Sequence, residues 1–159
     1  MKRFLSFALA CVMALGLTAC SGGAQTNTPA DFSVQAVLDE MLAQVTIDDP
    51  LTLTEVDMLD FFGIKGDQMA EFAAVTCSNG ISAQEIVLVK AADKDTAAAV
   101  AAKLTNRLNA RAAEAEHYLP DQYAIISECS VLTDGVYVAL IIHPEHEVLE
   151  KLYSGYTKG

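Results

Sequence analysis

Val136-Tyr137-Val138-Ala139-Leu140-Ile141-Ile142, near the carboxyl end of the chain, is an uninterrupted apolar run of strand length. Valine, isoleucine and tyrosine favour β-strands, and successive side chains of a strand point to opposite faces of its sheet. A strand that is apolar on both faces must be covered on both. The run therefore predicts a central strand with other structure packed above and below it.

The segments around this run complete a predicted β-hairpin and helix. Residues 123–131 (YAIISECSV) are rich in strand-forming residues, and Thr133-Asp134-Gly135 favours a turn that joins them to 136–142. Pro144 then opens a predicted helix to Tyr153, because proline is tolerated at the first helical position. These elements form a ββα unit.

The same order of elements occurs earlier in the chain. Residues 72–78 (FAAVTCS) and 85–91 (EIVLVKA) form a predicted hairpin through a loop containing Asn79-Gly80. Residues 93–116 follow as a long Ala-rich helix, which ends at Leu119-Pro120. Two ββα units predict an α+β fold with a four-stranded, mostly antiparallel sheet and helices packed on one face.

The long helix predicts where the core lies. Its apolar face carries Val100, Ala101, Leu104 and Leu108, whereas its polar positions Lys103, Arg107 and Arg111 are predicted to be exposed. We expect Val100, Leu104 and Leu108 to pack against the alternate strand residues Val138, Leu140 and Ile142.

An N-terminal helical arm precedes the two units. Residues 33–45 carry apolar side chains at helical spacing after Ser33, a favourable N-cap. Residues 55–62 form a second predicted helix, with a capping box from Thr54 and Asp57 and with Gly63 just past its end. The first of these helices is predicted to cover the second face of the sheet.

The first twenty residues have the pattern of a bacterial lipoprotein signal. Lys2 and Arg3 precede a mostly apolar run over 4–17, which is shorter than the roughly 20 residues that span a membrane. Leu17-Thr18-Ala19-Cys20 matches the lipobox, in which the cysteine receives a diacylglycerol with acyl chains such as palmitate before cleavage. Two chains give stable anchoring, which one does not. The alternative is an uncleaved anchor or an ordinary signal peptide.

This pattern predicts the organisation and location of the chain. Residues 1–19 form the signal peptide, 20–30 the lipidated Cys20 and a polar tether, and 31–159 a single domain. Removal of residues 1–19, which carry two positive charges and no negative one, changes the net charge from −11 to −13. Such acidity argues against nucleic acid as a partner. We expect the lipid on Cys20 to hold the protein on the extracytoplasmic face of the cell membrane.

Two short tracts connect the sequence to a family. Tyr118-Leu119-Pro120-Asp121-Gln122-Tyr123, followed by Gly135-Val136-Tyr137-Val138, resembles the signature of the small bacterial lipoproteins described as domain of unknown function 4358. Glu85-Ile86-Val87-Leu88-Val89-Lys90 is similar to the first hairpin of that family. The likeness covers residues 31–153. It implies a lipoprotein of mainly Gram-positive anaerobes, and it carries over no catalytic residue.

A histidine cluster is the first of three groups of residues that suggest chemistry. His143-Pro144-Glu145-His146-Glu147 brings imidazoles and carboxylates together, but its histidines lack the i, i+4 spacing of a helical metal pair. We interpret His143 as a cap, Pro144 as the first helical residue, and both glutamates as favourable charges at a helix start. The alternative is a metal site; His117, the remaining histidine, is distant in the sequence.

Cys77 and Cys129 are the cysteines left in the mature chain besides Cys20. Export makes a disulfide between them feasible, since they occupy equivalent places in the two predicted hairpins. They can equally be two buried thiols or a redox-active pair, although no C-x-x-C motif supports the last.

The third group comprises two arginines and three tyrosines, which suggest either a binding surface or half-buried packing: Arg107, Arg111, Tyr118, Tyr123 and Tyr137. No nucleotide-binding or hydrolase motif accompanies them. We therefore expect a module without enzymatic activity or cofactor, which binds an envelope protein or a small ligand. The alternatives are a metal-dependent hydrolase using His143 and His146, or a structural component of the envelope.

Overall fold

The computed structural model describes residues 31–158, which form five α-helices and five β-strands. The predicted signal peptide, Cys20 and the tether lie outside the described residues. Within 31–158 no helix is both long enough and apolar enough to cross a membrane. The helices are α1 (Val34–Leu42), α2 (Glu55–Phe62), α3 (Lys94–Tyr118), α4 (Pro120–Glu128) and α5 (His146–Thr157), and the strands are β1 (Pro50–Thr52), β2 (Met69–Cys77), β3 (Glu85–Ala91), β4 (Val131–Asp134) and β5 (Tyr137–Ile142).

The strands form one antiparallel sheet in the order β1-β2-β3-β5-β4. Its centre is the pair β3 and β5, in which Val87 lies opposite Leu140 and Val89 opposite Val138. Every residue of β5 is buried. The predicted α+β class and the doubly covered strand at 137–142 are therefore confirmed.

The sheet has five strands, so the prediction of four strands in two ββα units is wrong in detail. Residues 123–131 contain most of α4 and not a strand; the pairing strand is the later β4. Pro120 at the start of α4 has the φ angle that a first helical turn requires. The inward residues Gln122, Ile125, Ile126 and Cys129 repeat at helical spacing, a periodicity that outweighs the strand propensity of the isoleucines.

The fifth strand, β1, is a short edge strand that sequence analysis missed. Its residues Pro50, Leu51 and Thr52 are all exposed, and they pair with Val75–Cys77 at the end of β2. Proline is compatible with an edge strand, where its missing N–H does not interrupt a ladder. Three residues are too few to show a strand period in a sequence.

Helices cover both faces of the sheet. Residues of α2, α3 and α4 share one buried cluster with Val138, Leu140 and Ile142, while residues of α1 and α5 share another with Tyr137, Ala139 and Ile141. The predicted core is confirmed, because Val100 and Leu104 belong to the first cluster and Leu108 packs against it. The predicted place of α1 on the second face is also confirmed. The prediction that the helices following the two hairpins pack on the same face is wrong, because α3 packs on the first face and α5 packs beside α1 on the second.

Local signals place most helix boundaries. The Thr54–Asp57 capping box forms, and Gly63 ends α2 in the left-handed conformation at φ 66°. Ser33 caps α1 as predicted, although that helix ends at Leu42. The last helix begins at His146 and not at Pro144, because the His143 carbonyl and ring nitrogen accept the N–H groups of His146 and Glu145 and close a turn there.

Candidate functional site

Arg107, in the middle of α3, is attached to the sheet by a buried carboxylate. Glu85, the first residue of β3, is fully buried and accepts Arg107 Nε at 3.1 Å and Nη2 at 2.7 Å on its two oxygens. Thr76 Oγ1 donates a further hydrogen bond to Glu85 at 3.2 Å. This two-point geometry is the strongest arrangement of an arginine with a carboxylate.

The surroundings keep Arg107 charged. Burial disfavours its charged form, but the hydrogen bonds and charge of Glu85 outweigh that effect and raise the pKa of the Arg107 guanidinium. Its Cζ also lies 5.3 Å from the ring centre of Phe62, within cation–π range. The predicted exposure of Lys103, Arg107 and Arg111 is wrong, because all three side chains are partly buried, and that of Arg107 is also fixed by Glu85.

Arg111, one turn further along α3, is bound less completely. Its Nη2 donates to the Ser82 carbonyl at 3.2 Å, and its Nη1 lies 3.5 Å from an oxygen of Glu114, whose side chain is 68% exposed. Its Nε is buried and has no hydrogen-bond partner within residues 31–158. A buried donor without an acceptor is costly, so this guanidinium has binding capacity that the described part of the chain does not use.

A cleft of about 290 Å³ opens beside the two arginines. We call it the arginine cleft; its walls come from β1, α2, α3 and the end of β2, namely from Leu51, Phe61, Thr76, Cys77, Ser78, Arg107 and Arg111. Leu51 and Phe61 are 43% and 45% exposed, so the wall that they form is apolar and accessible. The site thus combines two guanidinium groups with exposed apolar surface.

A second hollow of about 230 Å³ lies on the other side of Arg111. Its lining includes Ser82, Glu114, Tyr118 and Leu119. Arg111 borders both hollows.

The structure brings together part of the predicted Arg–Tyr surface. Arg107, Arg111 and the exposed Tyr118 lie along these two hollows. Tyr123 is partly exposed on α4 but lines neither hollow. Tyr137 is buried in the cluster on the opposite face of the sheet, so its predicted place on this surface is wrong.

Tyr137 instead holds the first described residues of the chain. Its hydroxyl donates to Asp31 at 3.1 Å and accepts from the Phe32 N–H at 3.2 Å, while the Phe32 ring stacks on it at 4.1 Å. Lys90 forms an ion pair with Asp31. Hydrogen bonds from Lys90 and then Tyr137 lower the pKa of the Asp31 carboxyl. We call these four residues the entry latch.

The two clustered histidines are buried and have separate partners. His143 Nε2 lies 3.3 Å from the Thr46 carbonyl, and its Nδ1 accepts the Glu145 N–H. His146 Nδ1 lies 3.3 Å from Glu150. Within residues 31–158 no three His, Cys, Asp or Glu side chains are grouped as metal ligands. His146 Nε2 also lies 3.7 Å from Glu128, so the contacts of the two imidazoles differ.

Cys77 and Cys129 are buried free thiols that belong to different clusters. Cys77 ends β2, whereas Cys129 follows α4 and not a strand. Burial raises the pKa of the Cys129 thiol to about 11. The equivalence on which the predicted pairing depends is lost, because α4 replaces the expected strand.

Comparison with known families concerns the part of the chain that carries the sheet and the cleft. Residues 44–143 match the family described as Domain of unknown function (DUF4358), which is more than half of the chain. The chain belongs to this family. The DUF4358 match contains all five strands and every residue lining the arginine cleft, whereas α1 and α5 lie outside it. No curated protein and no solved structure matches the chain.

Five residues at the site were not predicted from the sequence: Leu51, Phe61, Thr76, Ser78 and Glu85. A usable signal existed for Glu85, because it is a lone carboxylate at the head of the otherwise apolar stretch EIVLV and a buried charge needs a partner. Leu51 and Phe61 carry no such signal, since scattered exposed apolar residues are normal in proteins.

Proposed function

We propose that this chain is a lipoprotein held at the extracytoplasmic face of the cell membrane by lipid on Cys20, and that its domain is a non-catalytic binding module. The binding site is the arginine cleft. The lipobox at 17–20 and the absence of a long apolar helix within residues 31–158 support lipid anchoring. The mixture of guanidinium groups and exposed apolar side chains in one concave site supports binding.

The main support for the proposal is that the cleft and the entry latch lie at opposite ends of the sheet. Lys90, in the latch, lies near the end of β3, and Glu85, behind the cleft, is its first residue. A rise of about 3.4 Å per residue separates these ends by roughly 17 Å. The chain therefore enters the domain at one end of the sheet, and the cleft opens at the other.

This arrangement suits a module tethered to a surface. The chain from Cys20 to Asp31 spans at most about 40 Å when fully extended. A domain attached through the latch end presents the cleft away from the membrane, where a ligand in the envelope can reach it. The net negative charge of the chain opposes adsorption of the domain to anionic lipid.

Acylation and labelling test the anchoring part of the proposal. The full-length protein should incorporate radiolabelled palmitate and fractionate with membranes, whereas Cys20→Ala should remain an unprocessed precursor without label. A cysteine introduced at the exposed position Asn79 should react with a membrane-impermeant maleimide on intact cells. Wild type, whose Cys77 and Cys129 are buried, is the matched control. Palmitate incorporation into Cys20→Ala would contradict the anchor.

A fragment screen by nuclear magnetic resonance tests the binding part. The full chain in detergent should show perturbed signals from Leu51 and Phe61 with a subset of small molecules. Phe61→Ser should abolish these perturbations because it removes the apolar wall. Val56→Ser is the control, since Val56 is 66% exposed on the same helix but does not line the cleft. Equal responses of the two variants would refute the proposed site.

A further inference from the structure

We infer that the arginine cleft recognises a single carboxylate carried beside an apolar side chain, as at the carboxyl terminus of a peptide. This inference rests on the binding role proposed above and adds the chemical class of the ligand. Two observations support it: the two arginines differ in how fully their hydrogen bonds are satisfied, and apolar residues face them across the cleft.

Arg107 is held in place by Glu85, whereas Arg111 is available to bind a ligand anion. The charge of Arg107 is matched by the fully buried Glu85. Arg111 has a carbonyl partner and a 3.5 Å contact with a carboxylate that is largely in solvent, and its Nε has no acceptor within residues 31–158. A ligand anion can therefore bind Arg111 without competing with the buried Glu85–Arg107 pair.

Binding requires a small movement of Arg111. Because Nε is buried, the guanidinium must turn toward the cleft and exchange its contacts with the Ser82 carbonyl and Glu114 for the ligand. Those contacts are few, and the Glu114 side chain is exposed. The planar guanidinium can then donate two parallel hydrogen bonds, a geometry that a carboxylate matches.

The charge of the chain limits the ligand to few negative charges. Arg111 has only a 3.5 Å contact with the exposed Glu114 carboxylate, and it lies in a chain of net charge −11, whose field repels polyanions such as nucleic acid. A carboxylate carries one charge and avoids most of this repulsion. The carboxylate is therefore favoured over a phosphate-rich ligand.

The far wall of the cleft selects for an apolar group beside the carboxylate. Leu51 and Phe61 are almost half exposed, and both face the space that the arginines border. A leucine or phenylalanine side chain next to the bound carboxylate would cover them, which removes apolar surface of both partners from water. At about 290 Å³ the cleft suits one or two residues and not a long segment.

Three probes of matched structure test the inference on the full chain in detergent: N-acetyl-phenylalanyl-leucine, its C-terminal amide, and acetate. Titration calorimetry should show at least tenfold tighter binding of the free acid than of the amide, which lacks the charge, and than of acetate, which lacks the apolar part. Binding of the free acid should weaken as salt is raised.

Arg111→Gln should weaken binding of the free acid at least tenfold. Lys94→Gln is the matched control: it removes the same charge from an exposed position at the start of α3, and it should change the dissociation constant less than twofold. Circular dichroism confirms that both variants are folded.

Failure of this inference is distinguishable from failure of the proposed function. Equal affinity for the acid and the amide, equal affinity in Arg111→Gln and wild type, or no binding of the free acid would each overturn the carboxylate assignment. Neutral fragments that still perturb Leu51 and Phe61 would then leave the binding role standing. If no fragment binds in the cleft, both the carboxylate assignment and the proposed binding function are refuted.

Discussion

Glu85 and Arg107 form a buried two-point pair that joins the start of β3 to the middle of α3, with Nη2 2.7 Å from Oε2 and Nε 3.1 Å from Oε1. The Glu85 side chain is entirely shielded from solvent, while that of Arg107 is 22% exposed. A buried pair of this kind adds little net stability, because each charge loses its hydration, but removal of one partner leaves the other uncompensated. The pair therefore fixes the wall of the arginine cleft more than it stabilises the fold.

The first prediction follows from that asymmetry. Arg107→Met should lower the free energy of unfolding by about 3–5 kcal/mol, because it leaves the buried Glu85 carboxylate unpaired. The double variant Arg107→Met/Glu85→Leu should recover most of this loss. Urea denaturation of wild type, both single variants and the double variant measures the coupling. If the double variant is as unstable as Arg107→Met, the loss of stability comes from altered packing and not from the unpaired charge of Glu85.

The second prediction concerns the core between β5 and α3. Leu140→Ala should destabilise the domain by about 2–5 kcal/mol, because Leu140 is fully buried at the sheet centre and its removal leaves a cavity. Leu59→Ala, on the exposed side of α2, should cost less than about 0.5 kcal/mol. Denaturant unfolding measures both, and similar losses would place the core elsewhere.

The third prediction concerns pH and the entry latch. Hydrogen bonds from Lys90 and Tyr137 lower the pKa of the Asp31 carboxyl from 3.8 in the folded protein. The ionised carboxylate therefore stabilises the folded state fully above pH 3.8, and this stabilisation is lost as the pH falls through the lower folded-state pKa. The protection of the Phe32 amide against hydrogen exchange, taken relative to the intrinsic exchange rate at each pH, should therefore fall over that range. Asp31→Asn should exchange fast at neutral pH as well, whereas Asp60→Asn should behave as wild type. Slow exchange in Asp31→Asn would show that ring stacking alone holds the latch.

The fourth prediction concerns the two thiols. With a pKa of about 11, Cys129 stays protonated at neutral pH, and thiols react as thiolates. Cys129 in native protein purified from membranes should therefore react slowly with a thiol reagent, and both cysteines should react once the protein is unfolded without reductant. Cys77→Ala and Cys129→Ala assign the two sites. Absence of reaction after unfolding would instead show that the cysteines pair.

The fifth prediction concerns the histidines. His143 contacts the backbone, whereas His146 contacts Glu150 and Glu128, so we expect no stoichiometric zinc to remain after dialysis of the full chain. Elemental analysis measures this directly, with His117→Ala as a control for a histidine on the exposed end of α3. Zinc that is retained by wild type and lost in His146→Ala would favour the hydrolase alternative.

Sequence by itself determined the features that depend on neighbouring residues. The limits of α2 follow from a capping box and a glycine within a dozen positions, and the strand at 137–142 follows from an apolar run that only a covered strand accommodates. The match of Val138, Leu140 and Ile142 to α3 follows from two independent periodicities. These features are local, and the chain encodes them directly.

Tertiary structure alone decided the features that depend on distant residues. Residues 123–128 are helical because their inward side chains find α3 and the sheet, although isoleucine also suits a strand. Arg107 is half-buried because Glu85, 22 positions away, lies beneath it. Tyr137 belongs to the entry latch because it lies on the face of the sheet where α1 and α5 pack. The arginine cleft combines β1, α2, α3 and the end of β2. Which helices and strands come together depends on how their apolar faces are buried against one another. That burial involves residues from the whole domain, so no single stretch of sequence specifies it.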